Sequence, residues 1–290
     1  MATTTSELTT TPNVAGTPDA VVIRPPTKWG SFGLAELWEF RELLYFLIRR
    51  DILVRYKQSV LGIFWAVAQP LALALIFWIF FGQLAGVKSG NGLPYPVFAF
   101  AALVPWMFVS QGVSQAAQSL TGDANLLAKV YFPRLALPFA KIGALCVDLV
   151  IALIVLLILM LGFGIGIVPQ VVALPLFLLI GLLTALGAGT FFAAANVKYR
   201  DITVAVPLAV QVWLFATPVV YPGTLVEGNL QYVYALNPMV SVVTGTRWAL
   251  LDAAAPNWGA VAVSAVVALI GVATALVYFR RTQHYFADIV

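Results

Sequence analysis

The sequence predicts an all-α membrane protein. Six transmembrane helices are preceded by an amphipathic interface helix, and two short re-entrant helices come before the last span. Three observations predict it. Apolar residues make up 61 % of the 290 and charged residues 10 %, with a mean hydropathy of +0.95; soluble domains run at about 45–50 % and about 25 %. Apolar stretches of the roughly 20 residues needed to cross a bilayer recur six times, at 60–83, 97–120, 136–163, 173–195, 202–222 and 259–279. Basic residues gather on alternate connections. Fourteen of the 16 Lys and Arg fall on one side of such a bundle, leaving Lys88 and Arg247 on the other. The positive-inside rule then places both termini in the cytoplasm.

Residues 1–28 are rich in Thr, Pro and Ala, without an apolar run, and read as a disordered tail. Within 29–58, the stretch 34–57 reads as one amphipathic helix, with Leu37, Phe40, Leu44, Leu47, Ile48 and Ile52 on its apolar face. Trp38 and a basic C-terminal end suit a helix lying in the membrane interface. The transmembrane domain runs over 59–290. Pro70, Pro105, Pro207 and Pro218 interrupt its spans, each removing a backbone hydrogen bond. Gly181, Ala185, Gly189 and Ala193 form a small-residue ladder on the fourth span, which lets another helix approach closely. Segment 223–258 is too apolar for a solvated loop and too broken for a span. It reads as the two re-entrant helices, with Asn237-Pro238 between them, because proline drives its predecessor out of helix.

Several chemistries are missing. One cysteine (Cys146) and one histidine (His284) exclude a disulfide framework and a Cys/His zinc site. There is no Walker A loop to cradle phosphates and no Gly-x-Ser-x-Gly elbow. Asp148 is the one acidic residue within a span, whereas ion-coupled transporters show several such groups. Neither an enzyme nor a classical secondary transporter fits. What stands out is the connection between the second and third spans. Asn125, Leu126, Leu127, Lys129, Phe132, Pro133 and Arg134 form an amphipathic turn between two spans. It suits either a peg docking into a groove on a soluble partner or a turn lying on headgroups.

Five stretches in order then resemble the membrane subunit of type-2 ABC exporters, in the branch that exports lipid-linked polysaccharides such as O-antigen and teichoic acid. They are LIRRDILVRYKQSVLGIFWAVAQPL (47–71), LVPWMFVSQGV (103–113), NLLAKVYFPRLALP (125–138), NVKYRDI (196–202) and LNPM with Arg247 downstream (236–247); the ending YFADIV (285–290) fits too. The resemblance implies a homodimeric permease in the bacterial inner membrane, with a pore on a two-fold axis and two soluble ATP-binding cassette subunits beneath. ATP and Mg belong to those subunits, and this chain binds no cofactor and no metal. Residues 125–134 become a coupling helix on the ATPase. The first and fifth spans line a conduit, and the re-entrant pair closes the outer mouth. The cargo is a glycan on an undecaprenyl-diphosphate or similar lipid, and no nucleic-acid partner is expected.

On that footing, Arg49, Arg50, Arg55 and Lys57 are candidates for the lipid diphosphate, since guanidinium forks suit phosphate oxygens. Plain anchoring to anionic lipids explains them equally. Phe64, Trp65, Trp213 and Phe215 are candidates for lining the glycan conduit. Tyr199, Arg200 and Asp201 mark the cytoplasmic turn into the fifth span, where an Arg–Asp pair is expected to fix the turn. Asn237, Pro238 and Arg247 mark the outer gate, with Arg247 expected to pair across it. Gln111, Ser114, Gln115 and Gln118 form a polar stripe on the second span, suited to bonding between helices. Asp148 is expected to be protonated or bonded to a neighbouring span. Two other readings remain: a type-2 exporter of a small amphiphile, and a membrane-embedded glycan-processing enzyme, which would need clustered surface acids that are not seen.

Overall fold

A computed structural model describes residues 34–57, 62–87, 92–123, 132–223, 226 and 228–283, all within one compact unit, Phe32–Val290. The expected tail 1–28 lies outside the described residues, as do Asn125, Leu126, Leu127 and Lys129 of the expected coupling helix and the ending 285–290.

All regular structure among the described residues is helical. Two helices open the chain, α1 (Leu34–Glu39) and α2 (Arg41–Lys57), so the expected single interface helix is broken at Phe40. Then come α3 (Gly62–Phe77), running into a π-helical turn at Trp78–Leu84, α4 (Tyr95–Ala117) and the short α5 (Ser119–Gly122). After the connection follow α6 (Ala136–Gly162), a 3₁₀ turn (Pro169–Ala173) with α7 (Leu174–Lys198), and α8 (Ile202–Phe215). The chain ends with α9 (Leu230–Tyr234), α10 (Pro238–Leu251) and α11 (Trp258–Thr282).

Among the described residues, five segments are long and apolar enough to cross a membrane: Val67–Leu84, Tyr95–Ala117, Ala136–Gly162, Pro169–Lys198 and Trp258–Thr282. Where a sixth span is expected at 202–222, α8 has only 14 residues. At 1.5 Å per residue that is roughly 21 Å, short of the ~30 Å hydrocarbon layer. The helix stops because Pro218 disfavours helix at Thr217 and cannot donate a backbone hydrogen bond. Pro70, Pro105 and Pro207, by contrast, sit inside continuous helices.

The core forms around α4, which is buried along most of its length. The small-residue ladder of α7 packs against it. A Cβ on Gly189 would lie 2.8 Å from the Cβ of Ala116, and one on Gly181 3.5 Å from Val109. On α11, the backbone of Gly271 and Val272 approaches within 3.0 Å of a Cβ at Gly187. These positions carry no side chain because the helices cross there almost backbone to backbone. Phe177, Trp248 and Trp258 pack edge-to-face and stacked, tying α7, α10 and the start of α11 together.

Helices α1 and α2 pack on protein along one side. Leu37 and Leu47 are buried in a second apolar cluster with Phe132, Leu137, Ala193, Leu276 and Phe279. Gly143 of α6 faces Ile48. Trp38, Tyr45, Phe46 and Leu53 stay exposed on the other side. At the flanks, α3 exposes Phe64, Trp65, Leu75 and Ile76, and α8 exposes Val204, Leu208, Val212 and Phe215 while burying only Val206.

Candidate functional site

The break after α8 builds the first site. Residues 216–222 leave the helix, yet Thr217, Val219 and Val220 are fully or nearly fully buried. Buried backbone requires partners, and here each carbonyl from 215 to 221 has one. The Phe215 carbonyl accepts from the Tyr221 hydroxyl at 3.1 Å and that of Ala216 from Asn237 Nδ2 at 3.2 Å. Val219 N–H donates to the Thr217 carbonyl at 2.7 Å, and the Tyr95 hydroxyl to that of Val220 at 2.7 Å. Arg247 supplies the rest, reaching the carbonyls of Pro218 (2.6 Å), Val219 (2.5 Å) and Tyr221 (3.2 Å), and also Phe98 (3.1 Å). Its guanidinium lies 3.5 Å from the centre of the Phe98 ring, which adds a cation–π contact.

Arg247, expected to pair across a gate, is 2 % exposed and donates four hydrogen bonds to carbonyls of its own chain. The fork of five N–H donors is what lets one side chain hold several carbonyls. Asn237 is the second brace. Its Oδ1 caps α10 by accepting from Met239 N–H at 3.1 Å and also accepts from Trp213 Nε1 at 2.9 Å, while its Nδ2 donates to Thr217 Oγ1 at 3.0 Å. Pro238 takes the first helical position, where a missing N–H costs nothing.

The second site lies where α2, α3, α4 and α6 meet. Arg55 pairs with Asp148, and its other terminal nitrogen donates to Gln115 Oε1 at 2.7 Å. The Tyr56 hydroxyl donates to the second oxygen of Asp148. Burial and this carboxylate push the Tyr56 phenol above its ordinary range, so it stays a donor. Asp148 thus bonds to the interface helix rather than to a neighbouring span. Beside it opens a cavity of about 260 Å³, lined also by Trp65, Gln69, Gln111 and Leu149. One turn back along α2, Arg50 lies 2.9 Å from Asp51 and 3.2 Å from Asp123, and Lys141 lies 3.0 Å from Asp51 and 3.2 Å from Asp123. This alternating square ties α2, α6 and Asp123, the residue after α5, together.

The four basic residues expected to share one headgroup are thus divided. Arg50 and Arg55 are held by carboxylates, and Arg49 and Lys57 are exposed. Of the expected coupling helix, Phe132 and Pro133 are buried, so Phe132 is not an exposed docking residue. Arg134 donates to the Gln283 carbonyl at the end of α11 at 2.8 Å. Among the conduit candidates, Phe64, Trp65 and Phe215 are exposed, whereas Trp213 packs edge-on against Trp106 with its N–H on Asn237. Tyr199, Arg200 and Asp201 are exposed, and no Arg200–Asp201 pair forms among the described residues. Backbone bonds close that turn, and buried Asn196 braces it by donating to the Ala117 carbonyl at 2.9 Å and accepting from Thr203 at 3.0 Å. Sequence reasoning passed over Asn196, Tyr95 and Lys141. A lone amide in an otherwise apolar span is the signal that points to Asn196.

Among the described residues no group of three or more His, Cys, Asp and Glu gathers to hold a metal. Residues 42–251 match the ABC-2 type transporter family. An O-antigen export system permease protein RfbA of Myxococcus xanthus is 30 % identical over 255 residues, covering 87 % of this chain and 97 % of that protein. Two proteins of the same name from Klebsiella pneumoniae are 24 % and 22 % identical over 252 residues, each covering 86 % of this chain and 95 % of its relative.

Proposed function

Because this chain belongs to the ABC-2 type transporter family, we propose that it moves a lipid-linked polysaccharide, O-antigen-like or teichoic-acid-like, to the outer side of a bacterial inner membrane. It is a multi-pass permease subunit rather than an enzyme, and ATP hydrolysis belongs to a separate subunit. The observation that carries the cargo is end-to-end likeness to permeases named for O-antigen export, over 95–97 % of their length.

The geometry supports the conduit. The aromatic and apolar faces of α3 and α8 are uncovered in a single chain, while α4 behind them is buried. A second copy set against these faces completes a passage between them. In this reading α8 and segment 216–222 together make the sixth crossing, which keeps both termini cytoplasmic. Non-helical backbone at membrane depth is tolerated only where protein satisfies it, and the bonds from Arg247, Asn237 and Tyr95 do so. Segments α9 and α10 form the re-entrant outer gate. Residues 125–134 serve as the coupling helix on the ATPase; Asp123, just before them, is held in the square with Arg50, Asp51 and Lys141, and Arg134 is bonded to the Gln283 carbonyl. Arg49 and Lys57 remain for the lipid diphosphate.

Co-expression with the partner ATP-binding subunit tests this. Nucleotide hydrolysis is expected in the assembled complex, and deletion of the chain is expected to trap lipid-linked glycan inside the cell. A purified chain that hydrolyses ATP unaided overturns the reading.

A further inference from the structure

We infer that the cavity between α2, α3, α4 and α6 is a binding site for a single neutral sugar ring, and not for the diphosphate. The inference rests on the polysaccharide-export reading and deepens it, by placing sugar recognition inside each protomer.

Three observations carry it. The first is charge. The cavity's ionised lining residues are Arg55 and Asp148, and they pair with each other. Its wall is then neutral overall, which leaves no excess positive charge for a diphosphate. The second is hydrogen-bonding chemistry. Gln69 from α3, with Gln111 and Gln115 from successive turns of α4, brings three amides to one space. Neither Gln69 nor Gln111 has a protein partner among the described residues, and Gln115 uses only its oxygen. An amide both donates and accepts, so it matches a hydroxyl, which does the same. Asp148 keeps spare lone pairs beside them, since a carboxylate offers about four acceptor sites. The third is shape. Trp65 offers an indole face at the rim, where it is 58 % exposed and packs edge-on against Phe64 at 5.7 Å. At about 260 Å³, the space lies just under the roughly 300–1,000 Å³ of drug-sized sites. It suits one ring and not a chain. A hydroxylated ring bonds these half-buried and exposed amides without adding charge.

The test uses the full exporter complex in nanodiscs free of sugar-based detergent. Cys146→Ala removes the chain's one cysteine, and Met107→Cys puts a reporter thiol on the cavity wall. Maleimide labelling is timed with the methyl glycosides of glucose, galactose, mannose and N-acetylglucosamine, and with inorganic pyrophosphate. A glycoside at ten times its Kd slows labelling about tenfold. The expected result is protection by at least one glycoside, none by pyrophosphate, and loss of protection in Gln69→Ala/Gln111→Ala. Protection by pyrophosphate, protection by no glycoside, or protection surviving the double substitution each overturns the site. Hydrolysis of ATP by the same complex reports separately on the exporter reading, which stands if coupling persists without sugar protection.

Discussion

At the scale of single residues, Arg247 sets the local structure of segment 216–222. Four carbonyls face it, three of them on a segment that has left its helix. Truncation to Met strands those acceptors. Each buried unsatisfied acceptor costs about 1–3 kcal/mol, so Arg247→Met is expected to lose at least ~4 kcal/mol. At about 2–4 °C per kcal/mol, that is a fall of roughly 8–16 °C or more in the melting temperature of the purified protein. Arg247→Lys keeps the charge but not the planar fork, and its melting temperature should fall between the two. A Met variant as stable as the parent would show that Arg247 does not hold segment 216–222. The sequence marked Arg247 by its place on the side with few basic residues, and from that alone a pairing partner across a gate followed. The sequence could not show that the broken stretch 29 residues upstream turns its carbonyls back on Arg247. Arg55 and Asp148, 93 residues apart, are the same case.

At the scale of elements, the fourth-span ladder was legible because a small residue every four positions lines one helical face, and that periodicity is local. The partner was not legible, and the structure supplies it as α4. Gly189→Leu forces a branched side chain against Ala116, where a Cβ alone would already sit 2.8 Å from its Cβ. Overpacking of this kind costs about 1–3 kcal/mol. Gly162→Ala meets nothing within 4 Å and should stay within about 0.5 kcal/mol of the parent. Thermal unfolding of both variants checks the difference, and equal stability would mean the α4–α7 crossing is looser than described. In α2 the apolar face read from the sequence holds: Leu47 is buried with Leu44 and Ile48 packed beside it, and Phe46, off that face, is exposed. Gly143 lets α6 approach that face at Ile48.

At the scale of the whole molecule, α3 and α8 leave apolar faces that one chain does not cover. If two copies meet there, cysteines placed on α8 at Val204, Leu208 or Val212 in the Cys146→Ala background should cross-link on mild oxidation, because a disulfide needs Cα atoms within about 7 Å. Ile158→Cys on α6 is the control and is 63 % exposed. Cross-linking through Ile158 alone, read on a denaturing gel, would move the dimer face elsewhere. The sequence by itself determined membrane residence, helical class, the approximate spans and, through ordered motifs, the family. These follow from hydropathy and periodicity, which sum over neighbouring residues. Only the tertiary structure decided that one expected span is a 14-residue helix followed by braced irregular backbone, that two of the four basic headgroup candidates, Arg50 and Arg55, are held by carboxylates, and that Phe132 is buried. Each of those depends on which polar group is nearest once distant segments meet. In a low-dielectric interior that partner is fixed by the closing of the chain in space and not by its order along it.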